Sequence, residues 1–258
     1  MSSRLLGSSR SLERESGVLV LFDIDGTLLR SEGAGLSSIE LAGRGLFGPR
    51  FTTQGVDAAG GLDPVLMAEI LGVNAVEVTL DTIGALRSAY AVRLEERLRS
   101  PGVVEALPGA AALVDRVAHA ASLTAGVLTG NYEETGRLKL DASGIGSDVF
   151  EVCVWGDASP ECPVAGKPIR EHLAEAALVE YHARFERAIA GESVIVIGDT
   201  TRDIDCAKSV GARSIGVLTG SATRDSLHQA GADLVVDDLS ATGALMDQME
   251  GWRLEAVG

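Results

Sequence analysis

Short apolar runs recur along the chain, with helical stretches between them. Gly17 to Phe22 (GVLVLF) is the first; Leu123 to Leu128, Val152 to Trp155, Ser193 to Ile197, Ser214 to Leu218 and Leu234 to Val236 follow. Continuous apolar runs of this length read as strands buried on both faces of a parallel sheet. Ala110 to Ala121, Ile169 to Phe185, Ile204 to Val210 and Arg224 to Ala230 carry helical spacing. Strand and helix in alternation predict an α/β fold, a doubly wound and mostly parallel sheet.

The interval between the first two runs breaks that rhythm. A parallel crossover needs about a dozen residues, and residues 23–122 far exceed that. Within the interval, residues 31–47, 63–72 and 75–99 are helical by composition. Gly60, Gly61, Pro64, Pro101, Gly102, Pro108 and Gly109 punctuate them. The expectation is a small helical domain inserted at residues 30–104, joined to a discontinuous core of residues 17–29 and 105–258. Ala75 to Arg99 is expected as its longest helix, with Glu95, Glu96, Arg97 and Arg99 on a solvated face. Residues 1–16 are polar, rich in Ser and Arg, and lack the apolar stretch of a signal peptide. They read as a disordered extension.

Composition narrows the function. The formal net charge of −15 argues against a nucleic-acid partner, because such faces cluster Lys and Arg against phosphates. An acidic protein can still bind a small anion through a local positive device: a metal, a lysine or a helix N-terminus. Aromatic residues are 4% of the chain, so aliphatic side chains must fill the core. Cys153, Cys162 and Cys206 form neither an even framework nor a CxxC pair, which fits free thiols in a cytoplasmic protein. No run reaches the 18 or so apolar residues of a membrane span.

The candidate chemistry sits where the apolar runs end. After the first comes Asp23-Ile24-Asp25-Gly26-Thr27-Leu28. Carboxylates at i and i+2 of an extended chain point the same way, so the pair can hold a hard cation or act as nucleophile plus acid/base. Read alone, it is also an Asp-Gly turn, although no partner strand follows. Thr129-Gly130-Asn131 ends the second run, a hydroxyl and free N–H groups suited to phosphate or to a plain helix cap. Gly166-Lys167-Pro168 offers one lysine ahead of a helix. Gly198-Asp199-Thr200, with Asp203 beyond, adds two carboxylates that would also suit a helix start. In doubly wound sheets ligands bind at the carboxyl ends of the strands, so these devices would meet at one rim.

Taken in order, with the insertion between the first two, these motifs make the chain resemble the haloacid dehalogenase-like superfamily from Gly17 to about Leu239. DIDGTL with the later GDTTRD is the most specific element, and the C-terminal stretch is similar to the phosphoglycolate phosphatase-like branch. The resemblance implies an Mg²⁺-dependent phosphatase for a small phosphorylated metabolite, as a monomer or homodimer. It implies Asp23 as nucleophile and metal ligand. Asp25 would be the general acid/base, with its backbone carbonyl on the metal and its pKa raised by neighbouring carboxylates. Thr129, Gly130, Asn131 and Lys167 would hold the phosphoryl group, Asp199 would ligate the metal, and Asp203 would support it from the same loop. It also places the Asp23 strand centrally, with the Leu123 and Val152 strands on one side and the Ser193, Ser214 and Leu234 strands on the other.

Other readings compete. A dehalogenase of this fold would not need Asp25 or the Asp199/Asp203 pair. A phosphomutase would share the core, and a binding protein that had lost catalysis would be expected to lose a site residue. The insertion should set substrate choice. Its Gly60-Gly61-Leu62-Asp63-Pro64 loop departs from the Arg- or Thr-bearing loops of phosphoglycolate phosphatases. Arg30, Arg44, Arg50 and Gln54 are read as surface residues able to meet a polar substrate.

Overall fold

The computed structural model describes residues 17–166 and 169–257. The elements are β1 (Val18–Phe22), β2 (Leu29–Arg30), α1 (Ala34–Phe47), α2 (Asp63–Val73), α3 (Leu80–Leu98), β3 (Glu105–Ala106), α4 (Ala110–His119), β4 (Leu123–Leu128), α5 (Glu133–Ser143), β5 (Val152–Val154), α6 (Glu171–Phe185), β6 (Val194–Gly198), α7 (Thr201–Ser209), β7 (Arg213–Val217), α8 (Arg224–Ala230), β8 (Leu234–Val236) and α9 (Thr242–Val257). The extension expected at residues 1–16 lies outside the described residues.

A six-stranded sheet runs β5-β4-β1-β6-β7-β8, every pair parallel. The order is the expected one. All five residues of β1 are buried, and its side chains alternate between two cores, as the period of a strand requires. Val18, Val20 and Phe22 pack with Leu113, Val114 and Val117 of α4 and Leu245 and Met249 of α9. Leu19 and Leu21 face Leu173, Ala177 and Tyr181 of α6 and Ala207 of α7. Burying a Leu or Val fully is worth roughly 1.5–3 kcal/mol, so this strand anchors both layers at once.

The insertion has a core of its own. Ile39 and Ala42 of α1, Met67 and Ile70 of α2, and Ile83, Leu86 and Tyr90 of α3 cluster with Phe51. At its two ends β2 and β3 pair antiparallel, Leu29 with Ala106 and Arg30 with Glu105. Its longest helix starts at Leu80 rather than at Ala75. Thr79 takes the N-cap and exchanges capping-box bonds with Thr82, while Ala75 sits at φ 54°, outside helical geometry. Its outer face is solvated: Arg99 pairs with Glu95 and Arg93 with Glu96. Helix α7 begins three residues earlier than the apolar spacing indicated, because Thr200 and Asp203 cap it reciprocally.

Candidate active site

Strands β1, β4 and β6 deliver Asp23, Thr129 and Asp199 to one rim of the sheet, where the strand order reverses. Asp23 follows Phe22 directly, its N–H donating to Ile197 O at 2.9 Å. The chain then turns through Gly26, whose N–H donates to Leu29 O. Gly26 has φ 80°, and a Cβ there would stand 2.7 Å from the Asp199 carboxyl. Only glycine lets this turn close over Asp199.

Three buried carboxylates converge at the rim. One oxygen each from Asp23, Asp199 and Asp203 lie within 4.8 Å of one another. Arg170 answers part of this charge, its Nη2 2.9 Å from Asp23 Oδ1 and 2.5 Å from Asp203 Oδ1. Asp203 Oδ2 accepts from Thr200 N and Oγ1. Asp199 accepts from Thr27 Oγ1 and Ser221 N. Burial, with Asp23 and Asp203 alongside, pushes the Asp199 carboxyl up to about 8. Burial also pushes Asp23 up to about 6, against the pull of Arg170. For Arg170, burial lowers the pKa, but Asp203 and Asp23 outweigh it and the net direction is up. When ionised, the three carboxylates less one guanidinium leave two negative charges among the described residues. An all-oxygen set with that deficit fits a hard divalent cation such as Mg²⁺.

Asp25 belongs to a different arrangement. Its Oδ2 accepts from Lys139 Nζ at 2.6 Å and Asn131 Nδ2 at 2.8 Å, and Ser31 Oγ approaches its Oδ1 at 3.5 Å. Lys139 also donates to Asn131 Oδ1 at 2.7 Å. The upward pKa shift expected for Asp25 is corrected here. Burial does push it up, but the Lys139 ammonium and the bonds from Lys139 and Asn131 outweigh that and hold the carboxyl below its ordinary value. The side chain is turned to Lys139, away from the acidic cluster, and it is Asp203 whose carboxylate joins Asp23 and Asp199.

Thr129 and Asn131 are both buried, and Thr129 Oγ1 accepts from Asn131 Nδ2 at 2.9 Å. The insertion docks on this turn. Asp63 N donates to Gly130 O at 2.7 Å, and a Cβ on Gly130 would sit 1.8 Å from Gly61 O. Asp63 Oδ2 accepts from Tyr132 N and Thr135 Oγ1, capping the start of α5 from outside. Arg87 of α3 forks onto Glu134 at 2.6 and 2.8 Å, reaches Asp157 at 2.8 Å and stacks 3.8 Å over Tyr132. Beneath lies a cavity of about 250 Å³ lined by Asp23, Asp25, Thr129, Asn131, Lys139 and Arg170 from the core side and Asp63 and Tyr90 from the insertion.

Lys167, expected among the phosphate ligands, lies outside the described residues. Arg30 pairs with Glu105 and Arg44 with Glu40, and neither they nor Arg50 and Gln54 line the cavity. Two cations were not anticipated. Arg170 follows Lys167 by three residues, and that proximity was its signal. Lys139 could have been found by period: Thr135, Gly136, Lys139 and Leu140 form the buried face of α5.

Comparison with known proteins follows this geometry. A family model described as haloacid dehalogenase-like hydrolase matches residues 20–208. A hydrolase from Pseudomonas syringae is similar at 22% identity and TM-score 0.66, over 90% of this chain and 98% of that one. A predicted phosphoglycolate phosphatase from Haemophilus somnus 129pt is similar at 21% identity and TM-score 0.64, over 90% and 99%. CbbY from Rhodobacter sphaeroides, solved in complex with phosphate, is similar at 22% identity and TM-score 0.67, over 87% and 96%. A search of the curated proteins finds no match.

Proposed function

The chain belongs to the haloacid dehalogenase-like hydrolases, and from that premise we propose that it is an Mg²⁺-dependent phosphatase acting on a small phosphate monoester through an aspartyl-phosphate on Asp23. The observation that carries this reading is the buried Asp23 carboxylate on the cavity floor. It stands beside Asp199 and Asp203 and shares the cavity with the Thr129–Asn131 turn.

Asp23, Asp199 and Asp203 would hold the ion. Mg²⁺ bound there supplies the positive charge that lets a carboxylate approach a phosphate dianion. Asp23, fixed by Arg170, attacks phosphorus while the ester oxygen leaves. Thr129 Oγ1 and the Gly130 and Asn131 N–H groups would take the phosphoryl oxygens, and Lys167 is a further candidate. Asp25 moves the proton. Lys139 keeps it ionised, the state needed to take a proton from the water that hydrolyses the acyl phosphate. For the leaving alcohol it must first be protonated, and an arriving phosphate charge raises its proton affinity. The insertion, which we take as a cap over residues 30–104, closes on the Thr129–Asn131 turn and limits water.

The competing dehalogenase reading leaves the paired Asp199 and Asp203 without a task. The test is the purified protein with Mg²⁺ against phosphorylated metabolites and an aryl phosphate, ranked by kcat/KM. Turnover that EDTA abolishes and Mg²⁺ restores is the expected result; full turnover in metal-free buffer would overturn the reading.

A further inference from the structure

The insertion brings little charge to the cavity. Its lining residues there include Leu36, Ile39, Leu66 and Tyr90, and Asp63 is the charged one among them. No Lys or Arg of the insertion lines the space. Among the described residues, the two core cations that do are engaged: Lys139 with Asp25 and Asn131, Arg170 with Asp23 and Asp203.

Asp63 is 8% exposed. Both bonds from the core fall on one oxygen, Oδ2. Oδ1 has no hydrogen-bond partner among the described residues, yet it is not one of the sealed, unsatisfied polar atoms. Asp63 lines this cavity, and Oδ1 is the acceptor it has left to offer a bound molecule.

Resting on the phosphatase reading, we propose that Asp63 determines specificity and that the substrate is the phosphate monoester of a small, neutral, hydroxylated alcohol, one of whose hydroxyls donates to Asp63 Oδ1. Each alternative leaving group meets an obstacle. A carboxylate or second phosphate would face Asp63 and Asp25, while the described cations of the cavity already face carboxylates. An ammonium would face Lys139. An alkyl group without a hydroxyl would leave Asp63 Oδ1 desolvated and unpaired, which is costly. The cavity of about 250 Å³ lies below the roughly 300 Å³ at which pockets for drug-sized ligands begin. It must also admit the phosphoryl group, so the alcohol has only a few carbons.

The experiment measures kcat/KM of the full chain with Mg²⁺ for glycerol phosphate, phosphoglycolate, ethanolamine phosphate, n-propyl phosphate and an aryl phosphate. Glycerol phosphate is expected to exceed each of the other three alkyl esters by at least about tenfold, as a site built around a substrate hydroxyl does. Asp63→Asn sharpens the test. Its amide oxygen can keep Tyr132 N and Thr135 Oγ1, which turns an NH₂ donor into the cavity. The ratio of glycerol phosphate to phosphoglycolate should then fall at least about tenfold. If Asp63 only docked the insertion, every substrate would lose the same factor, and that result overturns the proposal. So does a wild-type preference for phosphoglycolate, a readout that stands even if the variant fails to fold. Turnover of the aryl ester without preference for the hydroxylated one defeats this inference alone. Loss of all turnover, aryl ester included, defeats the phosphatase reading with it.

Discussion

The floor and the roof of the cavity are built on opposite principles. The floor, made by strand ends and the helices that follow them, presents Asp23, Asp25, Lys139 and Arg170 to the cavity, with Asp199 and Asp203 clustered beside Asp23. The roof, made by the insertion, is glycine, alanine and aliphatic side chains with Ser31, Tyr90 and a single carboxylate, Asp63. Rigid strands fix a dense set of charges at short distances, as bond-making requires. A separate helical unit with its own core can change its lining without disturbing those charges. On the proposed reading, chemistry belongs to the floor and discrimination to the roof.

Substitutions should divide along that line. Asp23→Asn, nearly isosteric, is expected to lower kcat on the order of 10⁴-fold or more for every ester, as loss of a nucleophile does, with circular dichroism unchanged. A tenth of wild-type kcat would show that another group attacks phosphorus. Asp25→Asn should cost about 10²–10⁴-fold for alkyl esters and less for aryl esters, whose leaving groups need less protonation. An equal penalty across leaving groups, in single-turnover kinetics, would remove Asp25 from the first step. Lys139→Met frees Asp25 from its counterion and should lower kcat about tenfold on all esters, a fraction of the general acid–base contribution. A change confined to KM would move Lys139 from floor to roof.

The floor should also announce itself in stability. In EDTA, the Asp23 carboxyl stands at about 6 and Asp199 at about 8, both raised by burial above the unfolded value of 3.8. A raised carboxyl stabilises the fold fully below its unfolded pKa and loses that contribution as pH climbs through the folded value. The metal-free Tm should therefore drop as pH rises from about 4 to about 8, and Mg²⁺ should restore most of it at the alkaline end. A flat Tm in EDTA would mean that the cluster is not the charge trap described. The smallest effect belongs to the roof. Arg87→Ala removes the fork to Glu134 and the reach to Asp157 and should raise KM a few-fold with kcat nearly constant. A matching loss of kcat would tie closure to the chemistry itself.

The sequence by itself determined the strands, their order through a family resemblance, and the placement of Asp23, Asp25, Thr129, Asn131 and Asp199 at turns after them, with Asp203 in the helix start beyond Asp199. These features are local. An apolar run of strand length, a glycine in a turn and a reciprocal cap are each written within a few residues. The exact start of α3 was local too, but the Thr79 cap overrode a composition that looked helpful from Ala75 onward. Tertiary structure alone decided which charge answers which. Arg170 meets Asp23, Lys139 meets Asp25 across 114 positions of chain, and Asp63 of the insertion caps α5 of the core. The sign of the Asp25 shift followed from that pairing. Neighbouring carboxylates, visible in the sequence, argued for a rise, and a lysine brought in by the buried face of α5 reversed it. Proton affinity depends on distances between groups, and distances between remote residues exist only once the chain has folded.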